Sequence, residues 1–123
     1  MFNIEFYENQ NGESEVLDFL IQLASKAPKN KNARIQHKQM VLYIQLLADH
    51  GTLLGDNITK HIEDNIWELR PGKNRVLFFY MEEDTFLLLH HFRKKTQKTP
   101  KREITKAKHE RDDWLLRKGL NKK

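Results

Sequence analysis

The chain has 123 residues, with 22 lysines and arginines against 17 aspartates and glutamates, a net charge of +5 and no cysteine. That length predicts one domain, residues 1–123, burying roughly two-thirds of the unfolded chain's surface. The absence of thiols excludes disulfide frameworks and thiolate zinc sites, and no apolar run approaches the ~20 residues of a membrane helix. The basic excess predicts a polyanionic partner: a nucleic acid, a ribosome or an acidic protein. The opening MFNIEFYENQ lacks the basic and long apolar regions of a secretory signal, so the expected location is the cytoplasm.

Residues 2–7 alternate Phe2, Ile4, Phe6 with Asn3, Glu5, Tyr7, the period of a half-buried strand. Asn11 or Ser14 can then cap a helix that runs to about Ala27, with Val16, Leu17, Leu20, Leu23, Ala24 and Ala27 on one face. Pro28 and KNKN end it. A second helix is predicted over residues 32–50, with Ala33, His37, Met40, Val41, Ile44, Leu47 and Ala48 as its stripe and Gly51 at C′. Residues 52–65 are polar and poorly periodic and are expected to be a loop entering a strand. Three strands follow, over residues 66–69, 76–81 and 86–92, as an antiparallel meander whose middle member is apolar enough to be buried on both faces. Pro71-Gly72 suits the central pair of a type II turn, and Glu82-Glu83-Asp84 forms the next turn. Thr99-Pro100 reads as a hydroxyl N-cap followed by proline at N1. The last helix carries Ile104, Ala107, Arg111, Trp114 and Leu115 on one face, stops at Gly119, and leaves a frayed tail at residues 121–123. Trp67 and Trp114 are expected in the core or an interface. The order is β-αα-βββ-α.

The meander places cations where strands meet. Arg70 closes its first strand, Arg75 opens the second, and Arg93, Lys94 and Lys95 follow the third. Guanidinium and ammonium groups gathered on one rim of a sheet suit phosphate esters, which points to RNA and to its cleavage. Attack by the 2′-OH of RNA requires a base, a cation cluster for the phosphorane charge and an acid for the leaving 5′-oxygen. Arg70, Arg75, Lys94 and Lys95 answer the second need. For proton transfer the candidates are Glu68, His91 and a lysine whose pKa is depressed by like charges beside it. Strand alternation puts His91, Arg93 and Lys95 on one face and His90, Phe92 and Lys94 on the other, so a two-histidine site would need a bulge. Arg93, Lys98, Lys101 and Arg102 are candidate RNA contacts, the last three near the N-terminus of the last helix. The competing readings are ordinary ones: arginines paired with Glu68 or Glu82, Glu68 as an ion-pair partner, His90 as a structural residue. His37, His50, His61 and His109 show no close metal-ligand spacing, and there is no phosphate-binding glycine loop; neither metal nor cofactor is expected.

This order, with ELR…NRVLFF and LLLHHFRKKTQKTPKREI…A, resembles the RelE/ParE superfamily of bacterial toxins and, within it, the phage-derived HigB-like branch. The resemblance implies an α+β, RelE-like fold: a small antiparallel sheet packed against an N-terminal helical hairpin, with a C-terminal helix. It implies a toxin of a type II toxin–antitoxin system, a ribosome-dependent endoribonuclease that cleaves mRNA and inhibits translation. The implied partners are the ribosome with its mRNA and a HigA-like helix-turn-helix antitoxin, with operator DNA met only through that antitoxin. By the same resemblance Arg75 looks like the arginine that contacts the scissile phosphate, Arg70 like the basic residue closing the preceding strand, and Lys94 and Lys95 like the basic catalytic residues after the last strand. Two departures stand out. RelE-like toxins carry lysines in the strand before the position of Arg70, where this chain has Ile66 and Glu68, and they often carry a tyrosine near the end, where nothing after Tyr80 is tyrosine. ParE-like members share the fold and poison DNA gyrase instead, and a non-catalytic RNA-binding module is the third reading.

Overall fold

In the computed structural model, which describes residues 1–119, the elements are β1 (Asn3–Phe6), α1 (Glu15–Lys26), α2 (Lys31–His50), β2 (Thr59–Glu63), β3 (Ile66–Leu69), β4 (Asn74–Met81), β5 (Thr85–Arg93) and α3 (Lys101–Arg117). The expected frayed tail at residues 121–123 lies outside the described residues. Short polar side chains start the first two helices. Ser14 Oγ accepts the Leu17 N–H at 3.2 Å, and Asn30 Oδ1 accepts the Ala33 N–H at 2.9 Å. Each satisfies one of the orphan donors of a first turn. Gly51, at φ +65°, closes α2 as expected.

Among the described residues the architecture is α+β, with three helices and a five-stranded sheet ordered β1-β5-β4-β3-β2, consistent with the small RelE-like fold. Two expectations are corrected. The sheet is mixed, because β1 pairs parallel with β5 while the remaining pairs are antiparallel. The helical hairpin makes a long connection out of β1, so no tight turn forces an antiparallel neighbour on it. And residues 52–65 are not only loop: Thr59–Glu63 is the edge strand β2. Its register shifts between His61 and Glu63, and most of it is exposed, so neither alternation nor hydrophobicity marks it in the sequence.

Helices cover both sides of the sheet. Val16, Leu23, Met40 and Leu47 from α1 and α2 pack on Leu69, Val76, Phe78, Phe86 and Leu88. Ala107 and Trp114 of α3 pack on Ile66, Leu77, Phe79, Leu87 and Leu89 on the other side. β4 therefore carries apolar residues on both faces, as its unbroken run VLFF predicts. A bulge interrupts β5: Leu77 faces His90 but Phe78 faces Leu88, so Leu89 is the extra residue. Leu89 and His90 consequently both turn toward α3. His90 is fully buried there, with Nδ1 2.6 Å from Glu110 Oε1 and Nε2 2.9 Å from Glu103 Oε1. It pins α3 to the sheet, the structural role expected for it. Burial raises the Glu110 carboxyl above its ordinary pKa, and the bond to His90 pulls it part of the way back.

Two turn assignments also change. The Asn74 N–H donates to the Pro71 carbonyl at 3.1 Å, so Gly72 and Lys73 are the central pair and Pro71 is one position earlier than the type II assignment requires. Gly72 supplies the φ of +64° there, and a Cβ on it would stand 2.5 Å from Gln39 Oε1. At the start of α3 the N-cap is Pro100, without a side-chain bond, rather than Thr99. The Thr99 hydroxyl points instead into the sheet, and that matters for the site.

Candidate functional site

Strand pairing sets the site. Glu68 on β3 lies opposite Leu77 on β4, on the face covered by α3. Two residues further along each strand the same face presents Arg70 and Arg75 at the end of the sheet. Glu68 is only 1% exposed, and its oxygens are engaged from three directions. Arg70 Nε donates to Oε1 at 3.0 Å, Arg75 Nε stands 3.7 Å from the same oxygen, and the Thr99 hydroxyl donates to Oε2 at 2.7 Å. A buried carboxylate held by two guanidiniums and a hydroxyl is a fixed anchor, and the arginines take their positions from it.

Arg75 is the more deeply set of the two, at 8% exposure. Its Nη1 donates to the carbonyls of Gly72 and Asn74, both at 2.9 Å. Burial draws its pKa down, Glu68 pushes it back up, and Arg70 adds a smaller lowering effect. Arg70 reaches outward, with Nη1 donating to the Asp56 carbonyl at 3.1 Å. After β5 the chain turns back over this corner. The Lys94 N–H donates to the Lys73 carbonyl at 2.8 Å, and Lys94 Nζ lies 3.4 Å from Gln97 Oε1. Glu68, Arg75, Lys94, Lys95, Lys98 and Thr99 line one small hollow. Its lining carries several cations around one engaged carboxylate.

Of the candidates, then, Glu68, Arg70, Arg75, Lys94 and Lys95 share this corner, and Lys98 joins them. Lys101 and Arg102 are exposed on the first turn of α3, with Arg102 3.8 Å from Glu103. Arg93 turns to the opposite face, where Nη1 donates to Gln36 Oε1 at 3.0 Å beside Asn74. His91 is not brought to the hollow. Its ring stacks on Phe19 of α1 at 3.7 Å between centroids, and burial lowers its pKa to about 4. The bulge at Leu89 shifts the pairing but leaves His90 and His91 on opposite faces. Thr99 was hidden from sequence reading because Thr-Pro before a helix reads as a cap. Among the described residues no cluster of three or more His, Cys, Asp or Glu is placed to hold a metal ion, and no helix is long and apolar enough to cross a membrane.

A helical hairpin on one face of a mixed sheet, a single helix on the other and a cationic corner between them define an α+β protein of the small RelE-like kind. The family model described as phage derived protein Gp49-like (DUF891) matches residues 25–112, and the chain belongs to that family, which is of the RelE/HigB-like toxin kind. No curated protein matches the chain. Membership implies a toxin partnered by an antitoxin.

Proposed function

We propose that the protein is the toxin of a type II toxin–antitoxin pair on the HigB-like branch, a cytoplasmic, ribosome-dependent endoribonuclease that cuts mRNA without a cofactor. One observation carries this reading: the near-buried Arg75 guanidinium, fixed by Glu68 and two carbonyls, stands in a hollow it shares with Lys94 and Lys95. Preset cations of this kind need little reorganisation when a pentacoordinate phosphorane gains charge, and removing one such contact typically lowers the rate by about 10²–10³. Arg75 and Arg70 neutralise the phosphorane oxygens. Lys94 or Lys95 gives a proton to the leaving 5′-oxygen. Glu68 holds the arginines and, with both oxygens engaged, is poorly placed as the base. The imidazole of His91 faces away. The 2′-OH proton passes to solvent water, and an enzyme strong in cations and poor in bases suits an RNA already held and bent by the ribosome. A HigA-like helix-turn-helix antitoxin would silence it by covering the cationic corner, and operator DNA is met only through that antitoxin.

Induced expression tests the reading, with mRNA 5′ ends mapped in cells with and without active translation. New ends should appear only while ribosomes translate, and Arg75→Ala should lose them. Cuts that persist when translation is blocked would remove ribosome dependence. Loss of gyrase supercoiling with intact mRNA would place the chain with the ParE-like poisons. Salt-sensitive RNA binding without any cutting would leave a binding module.

A further inference from the structure

The cationic corner continues beyond Thr99. The turn carrying Gln97, Lys98 and Thr99 is also one wall of a neighbouring cavity of about 220 Å³, whose far side is made by Lys60 and His61 of β2 together with Arg70. Lys60 is the direct cross-strand partner of Glu68. Paired residues on adjacent strands project from the same face with Cβ atoms about 5 Å apart, so Lys60 stands on the face that carries Glu68. β2 is the last strand of the sheet, and Lys60 and Lys98 are both exposed. Neither has a carboxylate partner among the described residues. The acids nearby are already engaged: Glu68 by Arg70 and Arg75, and Glu63 by Lys108.

A polynucleotide carries a phosphate at every nucleotide. A strand whose reacting phosphate sits at Arg75 must therefore leave the first hollow over one of its walls, and this wall carries Lys98 and leads past Arg70 to Lys60. We propose that Lys60 and Lys98, beside Arg70, form a second phosphate subsite, which holds the phosphate of a nucleotide flanking the cleaved linkage on the same RNA strand. The assignment rests on the endoribonuclease reading and adds the direction in which the strand runs, across edge strand β2. Lys60 is a binding residue in this scheme, and its contact is the same before and during bond breaking.

Steady-state cleavage of mRNA bound to purified translating ribosomes tests it. Lys60→Ala should raise KM roughly fivefold at low salt, the size of one exposed ionic contact, with kcat unchanged, because uniform binding appears in KM alone. Lys60→Arg should restore KM. The slope of log KM against log salt should fall by about 0.7 in the alanine variant, one phosphate contact on a single strand. Lys38→Ala, which removes an exposed cation from the outer face of α2, should leave KM at the wild-type value. Wild-type KM for Lys60→Ala, a fall in kcat instead, or an equal rise for Lys38→Ala would each overturn the subsite. If Arg75→Ala still loses kcat in those cases, the endoribonuclease reading survives. A wild-type protein that does not cut, or an Arg75→Ala variant that cuts normally, overturns that reading and the subsite with it.

Discussion

His91 offers a prediction that separates a proton-transfer role from a packing role. The folded protein holds the ring neutral, because burial against Phe19 lowers its pKa to about 4; Glu15 opposes that shift, and His90 and Arg93 add to it. The unfolded chain leaves the imidazole near 6.5. Between those values the unfolded chain takes up a proton that the folded protein refuses, so stability is fully present above pH 6.5 and is lost as pH falls toward 4. The gap of about 2.5 units, at 1.36 kcal/mol each, amounts to about 3 kcal/mol across the window. His91→Phe keeps an aromatic ring against Phe19 and removes the titrating site. Urea unfolding at pH 7, 5.5 and 4 should therefore show the variant gaining on the wild type by about 3 kcal/mol at the acid end. Cleavage by the variant should stay near the wild-type rate, since the ring faces away from the hollow. Equal pH slopes for the two proteins, or a His91 resonance titrating near 6.5, would refute the burial argument; loss of cleavage in a folded variant would return His91 to the chemistry.

Glu68→Ala should destabilise the fold by about 3–5 kcal/mol in urea unfolding, because it leaves the near-buried Arg75 without its counter-charge. A change under 1 kcal/mol would mean that water replaces the carboxylate easily. In the β4–β5 turn Glu83 is exposed with φ at +61°, so Glu83→Gly should raise stability by up to about 1 kcal/mol, read as a higher urea midpoint at unchanged slope.

Much of the site's raw material is legible from local pattern, and its assembly is not. The charges at Arg70, Arg75, Lys94 and Lys95 stand out against the apolar strands beside them, and the meander brings the strand ends together. Glu68 is legible in WELR as a proton carrier or as an ion-pair partner of the arginines, and only the cover of α3 makes it a buried anchor. Thr99 misleads for a related reason: a threonine before proline at a helix start satisfies the rule for a cap, while the nearby Glu68 carboxylate offers its hydroxyl a charged acceptor at 2.7 Å.

By itself the sequence determined the three helices, with the first capped by Asn11 or Ser14 and the second stopped at Gly51, the three-stranded meander, and the supply of cations at its ends. Those properties depend on residues a few positions apart, where helical and strand periodicities and turn chemistry operate. The tertiary structure decided the parallel pairing of β1 with β5, the existence of β2 at the edge, the exclusion of His91 from the cationic corner and the capture of Thr99 by Glu68. Each depends on partners distant in the chain. An apolar stripe states that a face must be covered, but which element covers it, and which charge then loses its water, is settled only when the layers pack.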